Sequence, residues 1–264
     1  YLSNSGTWMI NNNTLQSLAQ NLTGTETNTL SIVENFVDWI WTHIKYPSST
    51  NPQISHEVPL YPNETLSHRE GDCDDQAILL ISMCRIIGIP AYLQIGCISD
   101  SAIDPSATPA WNGTVENTQI HIAWHGWAMI YVPPWGWLPV DLTYSSRGNP
   151  LNAIKTAAVT DQKTIQYMNV IKTDYATEAR RYRSFLIDNN FKIQTYDEII
   201  PGQATDTFGF ISESLMQYAL MVLLFAGVVA SSVVVLIYVR RIRKNTDREP
   251  INPSSPLLSE RKPL

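Results

Sequence analysis

Gly71-Asp72-Cys73-Asp74-Asp75-Gln76 runs without a break into Ala77-Ile78-Leu79-Leu80-Ile81-Ser82-Met83-Cys84-Arg85-Ile86-Ile87. Gly71 permits a tight turn, Asp72 is a good N-cap residue, and apolar residues then recur at helical spacing until Gly88-Ile89-Pro90 ends the helix. Cys73 therefore stands in the first helical turn. Unpaired N–H groups and the positive end of the helix dipole favour a thiolate there, which is the form that attacks a carbonyl carbon. Asp72, Asp74 and Asp75 oppose that shift, so a cationic partner is wanted, and an imidazole from elsewhere in the chain is the natural supplier.

Downstream of that helix, Ala91 to Cys97 reads as a strand and residues 99–118 as a loop. Ile120 to Val132 reads as one long strand, Pro133 to Gly136 as its turn, and Trp137 to Leu142 as the returning strand. Alternation along a strand places His121, Ala123, His125, Trp127, Met129 and Tyr131 on one face. A helix-terminal cysteine, a histidine on a following strand and an aspartate on the next make a nucleophile, base and orienting group: Cys73, His125 and Asp141.

With Gly71-Asp72-Cys73-Asp74-Asp75, Gly88-Ile89-Pro90-Ala91-Tyr92, His125-Gly126-Trp127 and Trp137-Leu138-Pro139-Val140-Asp141-Leu142-Thr143, the chain resembles the transglutaminase-like family of papain-fold cysteine enzymes over roughly residues 31–150. The resemblance implies an α+β core in which the Cys73 helix packs on an antiparallel sheet. It also implies that Cys73 is the nucleophile, that His125 is the general base and acid, and that Asp141 orients His125. Many relatives carry a Glu two residues after the tryptophan of the histidine motif, where this chain has Met129. The Cys73 backbone N–H is the natural first oxyanion donor, and a residue of the 56–68 segment is the candidate second donor. His121, Trp127 and Asp72 are expected to stand just behind the catalytic groups. With no third ligand at matching spacing, His121 and His125 do not form a zinc site, and no metal or cofactor is expected. Cys84 and Cys97 are not expected to form a disulfide, because the helix and the strand carry them apart.

Chemistry of this kind needs a sizeable core, and 264 residues with 44% hydrophobic and 16% charged content supply one. The pI of about 5.3 argues against nucleic-acid binding. Residues 240–264 hold seven Lys/Arg against three Asp/Glu, a net +4, while the rest of the chain is net −10. Between them Leu215 to Val239 carries no charge and is long enough, at about 1.5 Å per residue, to cross a bilayer. Arg240, Arg241, Arg243 and Lys244 follow at once, so the positive-inside rule puts the C-terminus in the cytoplasm and the preceding domain outside the cell. Sequons at Asn12, Asn21, Asn63 and Asn112 agree with an external domain.

Six segments are expected: a polar lead-in, 1–30; the core, 31–150; a helix-and-strand extension, 151–200; a stalk, 201–214; the membrane span, 215–239; and a basic, proline-rich tail, 240–264. Within the core a helix should start at Ser31, with Ser31 and Glu34 as a capping box. Residues 47–68 read as an irregular connection. Two functions fit this organisation: a membrane-anchored extracellular cysteine enzyme acting on amide bonds of a protein or peptide through a thioester, or a catalytically idle fold serving as a binding or assembly subunit of a membrane complex.

Overall fold

The computed structural model describes residues 1–2, 6–47, 58–99, 106–111, 113–160 and 164–198. The expected stalk, membrane span and tail (201–264), and the sequon residue Asn112, lie outside the described residues. Among the described residues, no helix is long and apolar enough to cross a membrane.

Helix α4, Cys73–Ile86, is the axis of the fold. Every residue from Asp75 to Arg85 is buried, which is why its run is apolar nearly all round rather than amphipathic. One side of α4 packs on strands β1 (Ala91–Ser99) and β4 (Ile122–Val132), and another on helices α1 (Asn13–Thr23) and α2 (Thr29–His43). With β5 (Gly136–Val140) and β6 (Thr164–Val170) the strands form an antiparallel sheet in the order β5-β4-β1-β6. The shared core includes Phe36, Ile40, Ile78, Leu79, Leu80, Leu93 and Ile130, all fully buried.

The N-terminal residues are part of this core and not a lead-in. A 3-10 turn, Gly6–Trp8, buries Trp8 completely. Arg85, itself buried, lies 4.1 Å from the Trp8 ring centroid and donates to Ala91 O and Ile171 O. Leu15 and Ala19 of α1 are also fully buried. Helix α2 begins earlier than expected because Asn28, not Ser31, caps it, its side chain accepting from Leu30 N and Ser31 N.

The 47–68 connection ends in a short helix, α3 (Pro62–His68), and part of the expected 99–118 loop forms β2 (Ser106–Ala110) and β3 (Val115–Ile120). The long strand expected from Ile120 is broken at His121, whose φ of +56° turns the chain between β3 and β4. Helix α5, Asn152–Thr160, and strand β6 were not anticipated. Helix α6, Tyr175–Asp188, falls in the expected helix-and-strand extension and is capped by Asp174, whose side chain accepts from Thr177 N. Strand β7, Ile193–Glu198, pairs in parallel with β3 in a separate three-stranded sheet, β2-β3-β7, instead of extending the main one.

Candidate active site

Cys73 is N1 of α4, directly after Asp72 as N-cap. The turn before it is tied on both sides: Lys45 donates to Arg69 O and Gly71 donates to Lys45 O, the two halves of a parallel bridge between Lys45 and Glu70. Gln76 Nε2 donates to Gly71 O at 2.7 Å. Asp75 accepts from Leu60 N and Asp72 N, closing the turn from below. Gly71 is required here, since a Cβ would lie 2.8 Å from Asp75 Cβ and 3.0 Å from Thr65 Cγ2.

Strand β4 crosses this helix end at Gly126. A Cβ there would lie 2.9 Å from Asp74 Cβ and 3.3 Å from Asp74 Cα, so only glycine allows the approach. The approach brings Gly126 N–H onto the Cys73 sulfur, with His125 as the adjacent residue. His125 Nε2 lies 2.7 Å from Asp141 Oδ2, with both side chains largely buried. Asp141 Oδ1 accepts from Thr143 N and Tyr144 N, and Asp141 N donates to Ala153 O. The turn after Asp141 is fixed to α2, as Trp41 Nε1 donates to Leu142 O and Arg147 to Trp41 O. Trp127 is buried and stacks beside the His125 ring at 5.8 Å and 25°.

Burial would raise the Asp141 carboxyl, but the His125 ring and the two backbone N–H groups hold it below the usual carboxylate range. An ionised Asp141 can only accept, so the hydrogen bond is donated by Nε2–H and Nδ1 is left as the nitrogen with a free lone pair. The Cys73 thiol behaves opposite to expectation. Burial pushes it well above the usual thiol range, Asp74 and Asp72 add to the rise, and the Gly126 N–H offsets only part of it. The helix terminus is outweighed, and Cys73 rests as a neutral thiol. Asp74 is itself raised, by burial and then by Asp72, and accepts a hydrogen bond from the Tyr175 hydroxyl.

Of the other expected site residues, Asp72 directly precedes Cys73 and Trp127 lies beside the His125 ring. His121 is not: it is exposed at the kink before β4 and does not share the His125 face. In the 58–68 part of the segment expected to hold the second oxyanion donor, Leu60 N serves Asp75 and the Tyr61 hydroxyl bonds Thr177, while residues 56–57 lie outside the described residues. Among the described residues, Asp72, Cys73 and Asp74 form a cluster with metal-ligand spacing and no histidine. Cys84 is fully buried on α4 and Cys97 lies on β1; all three cysteines are unbridged. Asn21 and Asn63 are exposed, while Asn12 is half-buried and caps α1. Sequence reasoning missed Gly126 and Tyr175. A glycine inside an otherwise bulky strand was the available signal for the first; none pointed to the second.

A family profile described as the transglutaminase-like superfamily core matches residues 16–142, a span that contains Cys73, His125 and Asp141. Over residues 16–142, just under half of its length, the chain is thus similar to the transglutaminase-like superfamily. Solved structures that align with the chain include a candidate cysteine protease from Cytophaga hutchinsonii, 25% identical, with 64% of this chain and 51% of that one covered at a TM-score of 0.38. A candidate protease from Parabacteroides distasonis is 17% identical, with 56% and 25% covered at a TM-score of 0.33. LapG of Legionella pneumophila is 14% identical, with 67% and 95% covered at a TM-score of 0.39. The chain thus spans about half the length of the first and a quarter of the second. No curated protein matches it. The transglutaminase-like core is mixed α/β, and its helix-on-sheet arrangement is the one expected from the sequence motifs.

Proposed function

We propose that the chain is a cysteine enzyme that opens amide bonds through a thioester, with Cys73 as nucleophile, His125 as base and acid, and Asp141 as orienting carboxylate. The observation that carries this reading is the 2.7 Å His125–Asp141 contact on the strand that also places Gly126 N–H on the Cys73 sulfur. Because the thiol rests protonated, its proton passes to His125 Nδ1 as Sγ bonds to the carbonyl carbon. The tetrahedral species then collapses, the C–N bond breaks, and the Nδ1 proton goes to the leaving amine. Water yields hydrolysis or deamidation; a second amine yields acyl transfer. In both cases the incoming group gives its proton to Nδ1 and the thiol is restored.

A glutamine- or peptide-based electrophile, followed by mass spectrometry of the modified peptide, tests the reading. Cys73 should be labelled in the wild type, almost unlabelled in His125→Ala, and labelled at an intermediate rate in Asp141→Ala. Labelling that is indifferent to His125 would defeat it. That outcome would favour the second reading, an idle fold used for binding or assembly, to which the protonated resting thiol lends support.

The same proposal places the enzyme outside the cell on a single membrane span at 215–239, on the strength of the uncharged run and the cationic cluster after it. Protease added to intact cells should then remove the N-terminal domain and spare the tail. Exposed Asn21 and Asn63 are the candidate glycan acceptors, checked by a glycosidase-induced mass shift.

A further inference from the structure

A recess of about 350 Å³ is lined by residues of helices α1, α2 and α3. Its volume falls in the lower part of the range for small-molecule sites, about 300–1,000 Å³. Leu18, Trp39 and Leu66, one from each helix, give it apolar walls, while Thr14, Ser67 and Arg69 add two hydroxyls and a guanidinium. Neither Asp nor Glu lines it, although residues 1–239 carry 11 Lys/Arg against 21 Asp/Glu, a net −10.

The two largest groups in the recess are fixed in advance. Trp39 stacks on His43 with ring centroids 4.3 Å apart, and His43 Nδ1 donates to Trp39 O. Arg69 caps α3 in the left-handed conformation, φ +56°, where its N–H donates to Thr65 O and its carbonyl accepts from Lys45 N. The Arg69 guanidinium lies 5.6 Å from the Trp39 ring centroid. Among the described residues no carboxylate pairs with it, and Glu64 of the same helix is held by Arg180. A cation set against an aromatic wall in an acid-free recess attracts an anion, and a site whose groups are already ordered loses less entropy when it binds one. Charge thus selects the sign of the ligand and the walls select its body. Inorganic phosphate would satisfy the guanidinium and leave three apolar side chains unused; a carboxylate on an apolar ring system meets both kinds of surface.

We propose that this recess binds an amphipathic organic anion, a carboxylate on a planar apolar body, with the carboxylate on Arg69 and the body against Leu18, Trp39 and Leu66. None of the lining residues belongs to the proposed triad, so the site is independent of the thioester reading.

The probe is 2-naphthoate, with the uncharged 2-naphthalenemethanol as its counterpart. Binding to the full chain is followed by isothermal titration calorimetry, with Asn63, which also lines the recess, left unglycosylated. Naphthoate should saturate one site. The alcohol should bind about ten- to a hundredfold more weakly, the loss expected for a hydrogen bond to a charged group, and inorganic phosphate should not displace naphthoate. Arg69→Gln should show the same loss with its urea midpoint unchanged, while Cys73→Ala should bind as wild type does. Absence of saturable naphthoate binding by wild type overturns the proposal, and so does full binding by Arg69→Gln. Equal binding of acid and alcohol would mean that the walls act alone, displacement by phosphate that any anion suffices, and loss in Cys73→Ala that the probe sits at the thiol; each defeats the site as stated. If Arg69→Gln does not fold, the acid and alcohol compared on wild type still decide.

Discussion

Cys73, the proposed nucleophile, is where sequence logic and structure part most sharply. Helix-terminal position argued for a lowered thiol pKa, but burial first, and then Asp74 and Asp72, push the Cys73 thiol the other way. The alkylation rate of Cys73 by iodoacetamide should consequently keep rising with pH beyond the ordinary thiol range, about 8.5. A plateau near neutral pH would instead signal the thiolate–imidazolium pair that the sequence suggested. At Gly126 the argument is steric. Gly126→Ala drives a Cβ to 2.9 Å from Asp74 Cβ and 3.3 Å from backbone, so β4 must lift from the helix end. Urea denaturation should report a loss of about 1–3 kcal/mol, and electrophile labelling of Cys73 should slow because Gly126 N–H and His125 move with the strand. A variant as stable and as reactive as wild type would mean that the close approach is not needed.

At the level of elements, the α4 terminus carries an acid whose titration works against folding. Burial, and then the Asp72 charge, push Asp75 up to about 8, against about 3.9 in an unfolded chain. Between these values the folded state binds more protons than the unfolded state, so this group's contribution is fully present below the lower value and is lost as pH rises through the upper one. Wild type should lose more stability between pH 5 and pH 8 than Asp75→Asn does in urea unfolding. Parallel curves would show that Asp75 is already ionised. The elements legible in the sequence were those with strong local signals: α4 with its N-cap and Gly88-Ile89-Pro90 stop, and the β4–β5 hairpin around Pro133–Gly136. What escaped was set by distant partners. Nothing near Thr164–Val170 announces that β6 will pair with β1, and the parallel pairing of β7 with β3 has no local signature. The break at His121 was hidden because its neighbours keep the strand alternation on both sides. Of the candidate site residues, His125 and Asp141 lie on those well-signalled elements and meet, whereas His121 stands exposed at the break before β4.

Over the molecule as a whole, contacts that hold the site come from both ends of the described chain. Thr7 donates to Asp174 at the start of α6, and Trp8 lies under Arg85. Arg85 in turn reaches Ile171 O, and Ala153 O receives the amide of Asp141. The family match stops at residue 142 and starts at residue 16. A fragment cut to 16–142 would keep all three proposed catalytic side chains and discard Trp8, β6, Ala153 and Tyr175. It should lack a cooperative urea transition, whereas residues 1–198 should retain one, and cooperative unfolding of the short fragment would refute the dependence. The buried Arg85 gives this a wider meaning. One guanidinium clasps an N-terminal indole, the first residue of β1 and the loop before α6, so the packing that surrounds the site extends past both edges of the family match. The grip of Arg85 thus ties residues on either side of the matched span into one packed body.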